Sequence, residues 1–380
     1  MNFFNKKNVV RYIITFIILL FFGVFLYFFN QVIKPDLVST EGRTFEKAVV
    51  TEIIQDNIQE NGSRVGEQHI KVKIKTGSLK GKILDATSSD GKLFGATCEV
   101  GTKVVVIISS TDNDSLVSVY SVDREFVIYA FVFIFFFLLC LIGGKNGFKS
   151  SLSLIFDFIC IIFLYIPMIF KGFSPFFSAV LVVILTTIIT MYLIAGFSAK
   201  SIAAMIGTTF GVIISGISAA IFGYFAGISG YNVSDIESLL FVEQNTNIQV
   251  GGLLFSGILI AALGAVMDVA MSIASTINEI HENSPTLSTK QLFMSGINVG
   301  RDMMGTMSNT LILAFTGGSL SVLILNYVYD LPYKQIINSY SIGIEIMQGL
   351  SGSIGIILTV PLVSLVASIL IHRKKTQQNC

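Results

Sequence analysis

GGLLFSGILIAALGAVMDVAMSIASTINEI, residues 251–280, and VGRDMMGTMSNTLILAFTGG, residues 299–318, decide how this chain is read. Both are apolar and close to the roughly 20 residues that a bilayer-spanning helix needs. Yet Asp268 lies well inside the first. The second opens on Arg301-Asp302 and continues through Thr306, Ser308, Asn309 and Thr310. A carboxylate in a membrane helix costs about 2.5–3.5 kcal/mol on insertion scales, so such a residue marks a functional-site hypothesis by default.

Composition widens that reading to the whole chain. Of 380 residues, 53% are hydrophobic and 13% charged, about half the charged fraction usual in soluble domains. A net charge of +1 gives no ground for a nucleic-acid partner. Trp is absent, so an interfacial aromatic belt must use Tyr and Phe. Cys140 and Cys160 lie in apolar runs, Cys98 is in a polar region and Cys380 is the last residue, so no disulfide framework follows. His69, His281 and His372 are far apart in sequence. No metal motif and no cofactor is expected.

The chain divides into residues 1–29, 30–124, 125–372 and 373–380. Met1–Asn8 is short and basic, and the apolar run ending at Phe29 predicts a retained first helix, with a cleaved signal peptide as the alternative. Residues 30–124 alternate as strands do. In HIKVKIK the Ile and Val point one way and Lys71, Lys73 and Lys75 the other. Asn61-Gly62, Asp90-Gly91 and Gly101 read as turns. Five or six short strands suggest a small β-barrel, OB-like, a fold that can bind oligomers. The plain alternative, that the lysines are only the solvated face of a strand, is the preferred reading.

Further spans are predicted near 126–143, 150–170, 175–196, 202–227, 250–275, 304–328 and 350–371, eight with the first. The fold class is therefore mainly α, a polytopic transmembrane helix bundle with an extracytoplasmic β-domain. Lys145, Lys149, Lys200, Lys290, Arg301 and His372–Lys375 fall in alternate connections, which by the positive-inside rule puts both termini in the cytoplasm. The expected location is a cell membrane, with the β-domain outside. Residues 233–242 suggest a short surface helix with a Ser234–Glu237 capping box, and residues 333–349, with Glu345, a surface or re-entrant helix.

Residues three or four apart share a helix face. That rule gathers Gly257, Ala261, Gly264, Asp268, Ser272, Ser275 and Glu279 into one stripe, small at one end and polar at the other. Small residues let a neighbouring helix approach, which predicts Asp268 buried between helices. In the next span the rule groups Asp302, Gly305, Ser308, Asn309 and Thr316, with Thr306 and Thr310 alongside. Asp157 either joins the same cluster or snorkels or caps. An Asp268–Arg301 ion pair, or a carboxylate that only fixes packing, is the structural alternative.

Gly207-x-x-x-Gly211 and Gly223-x-x-x-Gly227 read as helix-packing patterns. Pro167, Pro175 and Pro361 are expected to kink or end helices, and Gly317-Gly318 to interrupt a span. No Walker sequence, Gly-x-Ser-x-Gly, His-Glu-x-x-His or nucleophile–base pair is present, so the chain is not expected to be an enzyme and no catalytic residue is assigned.

The blocks Leu263–Ile280 and Gly300–Gly318 resemble the YibE/F-like family of bacterial multi-spanning membrane proteins, over roughly residues 125–371. The resemblance implies a β-domain after the first helix and a transport role, and carries over no site residues. The leading expectation is a carrier of a small solute or monovalent cation. Asp268 would be its ion-binding centre, Ser272, Asp302, Thr306 and Asn309 oxygen ligands, and Arg301 a charge partner. The alternatives are a membrane scaffold whose β-domain binds an envelope protein, and an intramembrane hydrolase pairing Asp268 with Asp302. A homo-oligomer fits either of the first two.

Overall fold

The computed structural model describes residues 20–38, 42–59, 64–89, 95–110 and 115–376. It divides into two compact units, one spanning Asp36–Leu141 and one holding the remaining helices.

The first unit holds five strands: β1 (Arg43–Gln55), β2 (Glu67–Ile74), β3 (Ile83–Ser89), β4 (Lys103–Ser110) and β5 (Ser115–Val122). They close as a barrel in the order β1-β2-β3-β5-β4, with β4 returning antiparallel to β1 and β3 pairing parallel with β5. This is the small OB-like barrel that the alternation predicts. In β2, Ile70, Val72 and Ile74 are fully buried while Lys71 and Lys73 turn outward. The alternation also buries a polar residue, Gln68. Its amide donates to Asp56 (2.8 Å) and to the Cys98 carbonyl (3.2 Å), and it accepts from the Cys98 N–H at 2.8 Å. Gly101 has φ 96°, as its turn requires. Asn61-Gly62 and Asp90-Gly91 lie outside the described residues.

The helices are α1 (Leu20–Phe29), α2 (Glu125–Cys160), α3 (Ile166–Phe170), α4 (Pro175–Ala195), α5 (Ala199–Ala226), α6 (Ile236–Asn245), α7 (Leu253–Asn283), α8 (Thr289–Gly318), α9 (Leu320–Val328), α10 (Tyr333–Ile337) and α11 (Tyr340–Thr376). Among the described residues, five helices are long and apolar enough to cross a membrane, or six if the bent pair α8–α9 counts as one span. The expected eight differ in two places. The stretch Glu125–Phe170 is one helical run where two spans are predicted, with a non-helical residue at Gly144 (φ 53°, ψ −129°) and a π-helical turn at Ile161–Tyr165. The first helix is described only from Leu20, too short a piece to count.

Local chemistry explains the breaks. A π-helical turn, Ile161–Tyr165, precedes α3 because Pro167 has no N–H for the Phe163 carbonyl. That carbonyl accepts from Asn30 Nδ2 instead, at 2.7 Å. The break after Gly317-Gly318 bends α8 from α9 by 60°. Two expectations need correcting. The Ser234–Glu237 capping box does not form: α6 begins at Ile236, its N-cap Asp235 makes no side-chain cap, and the capping boxes are Ser229–Asn232 and Ser288–Gln291. Residues 340–349 are the first turns of α11 rather than a separate element, which leaves only α10 ahead of it.

At the centre, α11 packs against α5, α7 and α8, and α5 against α7. Glycines make the seam. A Cβ on Gly207 would run into Val363, one on Gly211 into Thr359, and one on Gly355 would lie 2.6 Å from the Gly211 carbonyl oxygen. Leu259, Val266, Ile273, Ile277 and Ile356 fill the space around it.

Candidate functional site

The predicted stripe on α7 exists, but it is not buried. Gly257, Ala261, Gly264 and Asp268 are all exposed, and Ser272 and Ser275 half-exposed. A Cβ on Gly257 or Gly264 would meet nothing within 4 Å. The expectation of an Asp268 enclosed between helices is therefore overturned, and the cause is shape. The large residues of α7 seat in glycines on its neighbours: Val266 at Gly211, Leu259 at Gly216, Ile277 at Gly296 and Ile273 at Gly300. Ridge into groove uses the bulky side of α7, and its own small side is left over.

Helix α8 repeats the arrangement. Leu292, Gly296, Gly300 and Leu311 are buried. Arg301, Asp302, Gly305, Thr306, Asn309, Thr310 and Thr316 are exposed, and Ser308 is half-buried. Three hydroxyls are satisfied on their own helix: Thr306 donates to the Met303 carbonyl (3.0 Å), Thr310 to that of Thr306 (2.9 Å) and Thr316 to that of Ile312 (2.8 Å). Among the described residues, Asp268, Arg301 and Asp302 form no ion pair. The Asp268–Arg301 bridge that would make these residues merely structural does not form.

The contacts fix a common depth. Gly296 sits at Ile277, and Gly300, one turn along α8, at Ile273, one turn back along α7. Extending that antiparallel register places Asp268 about level with Gly305, with Arg301 and Asp302 one turn to one side and Asn309 one turn to the other. Their directions differ: Arg301 is 100° round α8 from Asp302 and falls on the side of Ile312, which meets Gly349 of α11. The exposed surfaces of two membrane-length helices thus carry two carboxylates, a guanidinium and Asn309 at one depth. Left against lipid, each charge would cost about 2.5–3.5 kcal/mol.

Asp157 lies elsewhere. It is half-buried on α2 and accepts from Thr190 Oγ1 of α4 at 3.2 Å, and Ser153 Oγ donates to that same Thr190 oxygen at 2.6 Å. About two turns further on, past the π-helical turn, Tyr165 and Ser256 share a hydrogen bond of 2.5 Å. Among the described residues, no hydrogen bond or ion pair joins this network to Asp268. Sequence reasoning found Asp157 but missed Ser153 and Thr190, although the threonines of LVVILTTIIT are a visible signal in an apolar helix.

It also missed what the α8–α9 break creates. A cavity of about 240 Å³, mostly apolar, is lined by Thr316, Ser319, Leu323, Ile342, Glu345 and Leu350 among others. His281 and His372, distant in sequence, come within 5.9 Å between ring centroids. Among the described residues, no group of three His, Cys, Asp or Glu could hold a metal ion.

A family model described as YibE/F-like protein matches residues 131–373, well over half of the chain. No curated protein and no solved structure matches it.

Proposed function

The chain belongs to the YibE/F-like family, and from that premise we propose that it is a membrane carrier for a small solute or monovalent cation, whose route runs along the open face of α7 and α8. The observation that supports this reading is the shared depth of Asp268, Arg301, Asp302 and Asn309 on helices otherwise fit for lipid. A carboxylate with no protein partner there can take up and release a proton or cation. Arg301 balances the second carboxylate, and Asn309, Ser272 and Thr306 supply neutral oxygens. The reading has eight spans, both termini in the cytoplasm and the barrel outside. It assigns no catalytic residue. A carrier needs polar groups within the membrane, and Asp268, Asp302 and Asn309 support that reading, whereas a scaffold needs only satisfied buried groups.

The test is ion flux in proteoliposomes. Wild type is expected to dissipate an imposed proton or Na⁺ gradient, and Asp268→Asn, folded by circular dichroism, to lose that flux at least tenfold. Equal flux in both would remove Asp268 from the route. Absence of flux in both would favour the scaffold, with the barrel as the binding element for an envelope protein.

A further inference from the structure

We propose that the cavity at the α8–α9 break is a binding site for a small lipophilic ammonium ion, held by Glu345 with Thr316 and Ser319. The site lies between α8–α9 and α11, and its occupancy is independent of any ion that passes Asp268.

The cavity follows from how α8 packs on α11. Gly296 lies at Ser364, Gly300 at Val360 and Gly349 at Ile312, an antiparallel register that puts Glu345 level with Thr316. There the chain turns. Helix α9 leaves α8 at 60°, so no further turn of α8 covers α11, and a wedge of about 240 Å³ is left. Ile312, Leu323, Ile342 and Leu350 form its apolar walls. That volume matches about eight waters of the liquid, room for one charged group on a body of about six carbons. Thr316 is about 16 Å along α8 from Gly305, the level of Asp268.

The polar groups of the lining decide what fits. The Thr316 hydroxyl donates to the Ile312 carbonyl at 2.8 Å, and the Ser319 hydroxyl to the Phe315 carbonyl at 3.1 Å. Each hydroxyl hydrogen is thus committed, and only oxygen lone pairs remain for a ligand. Glu345 is half-buried and, among the described residues, makes no hydrogen bond or ion pair. One carboxylate and two acceptor oxygens, with no side-chain donor left over, complement an ammonium, which has three N–H donors and no acceptor. An anion is repelled by Glu345 and finds no hydroxyl hydrogen to accept. A neutral alcohol forms no ion pair. The apolar walls strengthen the ion pair over the same contact in water and take the hydrocarbon part of the ligand out of solvent.

The experiment is calorimetric titration of the full chain in lipid nanodiscs, with empty nanodiscs as the blank. The probes are cyclohexylammonium, cyclohexanol and cyclohexanecarboxylate, which share one ring and differ in charge. Wild type is expected to bind cyclohexylammonium at least tenfold more tightly than the other two. Glu345→Gln, folded by circular dichroism, should lose at least tenfold of that affinity, and Glu345→Asp should keep part of it. Asp268→Asn should bind as wild type does, which separates this site from the ion route. No binding above the empty nanodisc would overturn the proposal. So would equal affinity for cyclohexanol, equal affinity in Glu345→Gln, or a loss confined to Asp268→Asn.

Discussion

Two seams of this bundle are written in the same small residues and end in opposite states. At the α5–α11 seam, Gly207, Gly211 and Gly355 meet side chains and carbonyls so closely that no Cβ fits. On the open face of α7 and α8, Gly257, Gly264 and Gly305 meet nothing. Composition does not separate them. What separates them is which side of α7 carries Val266, Ile273 and Ile277, because the bulky side is what the neighbouring glycines receive. Small residues thus license close approach without stating who approaches, and the seam left open is the one that carries Asp268 and Asp302.

That contrast can be broken by bulk. Gly211→Leu should drive a side chain into Thr359 and Val266 and cost about 3 kcal/mol or more, leaving little folded protein. Gly264→Leu, in detergent that holds the chain monomeric, should shift stability by less than about 0.5 kcal/mol. Thermal melts followed by circular dichroism compare the two. Equal losses would mean that the α7 face is already packed.

The barrel gives the comparison a reference, since its buried Gln68 amide is fully partnered while, among the described residues, Asp268 has no ion pair. Gln68→Leu should strip the Cys98 N–H of its acceptor and cost about 1–3 kcal/mol. The expected readout is roughly ten- to hundredfold faster labelling of the buried Cys98 thiol, and an unchanged rate would mean that Gln68 is not needed there.

A smaller effect is expected at Asp56. The hydrogen bond from Gln68, then the Asn57 N–H and Arg64, hold its carboxyl below the usual carboxylate range. A depressed folded-state value stabilises the barrel at all pH above the ordinary carboxylate value of about 3.9, and that contribution is lost as pH falls below it. Protection factors of the β1 amides, corrected for intrinsic exchange, should therefore fall below about pH 4 in wild type, and Asp56→Asn should flatten that dependence.

Much of this architecture was legible from periodicity alone. The β2 alternation marked which residues enter the barrel, the stripe on α7 was read correctly residue by residue, and Gly317-Gly318 does break a span. Its burial was not legible, because a helical wheel says which residues share a face and not which face a neighbour takes. Asp157 illustrates the same limit. Its partner Thr190 lies on another helix, and only packing brings Ser153, Thr190 and Asp157 together. The capping box expected at Ser234 failed because α6 begins at Ile236 with Asp235 at its N-cap, which takes Ser234 out of the capping position. Gly144 was invisible as a kink, since its φ of 53° is a property that glycine permits and does not announce.

The central claim is that the α7–α8 face is a wet polar route rather than a lipid-facing surface. Single cysteines introduced by Thr306→Cys, Asn309→Cys and Thr316→Cys, in a full-length background with Cys140 and Cys380 replaced by Ser, test it most directly. A charged thiol reagent added to membranes reacts where water reaches. Labelling at Thr306→Cys and Asn309→Cys, at least tenfold faster than at Leu358→Cys on an exposed position of α11, is the result predicted. Rates at all three α8 positions as slow as at Leu358→Cys would contradict it.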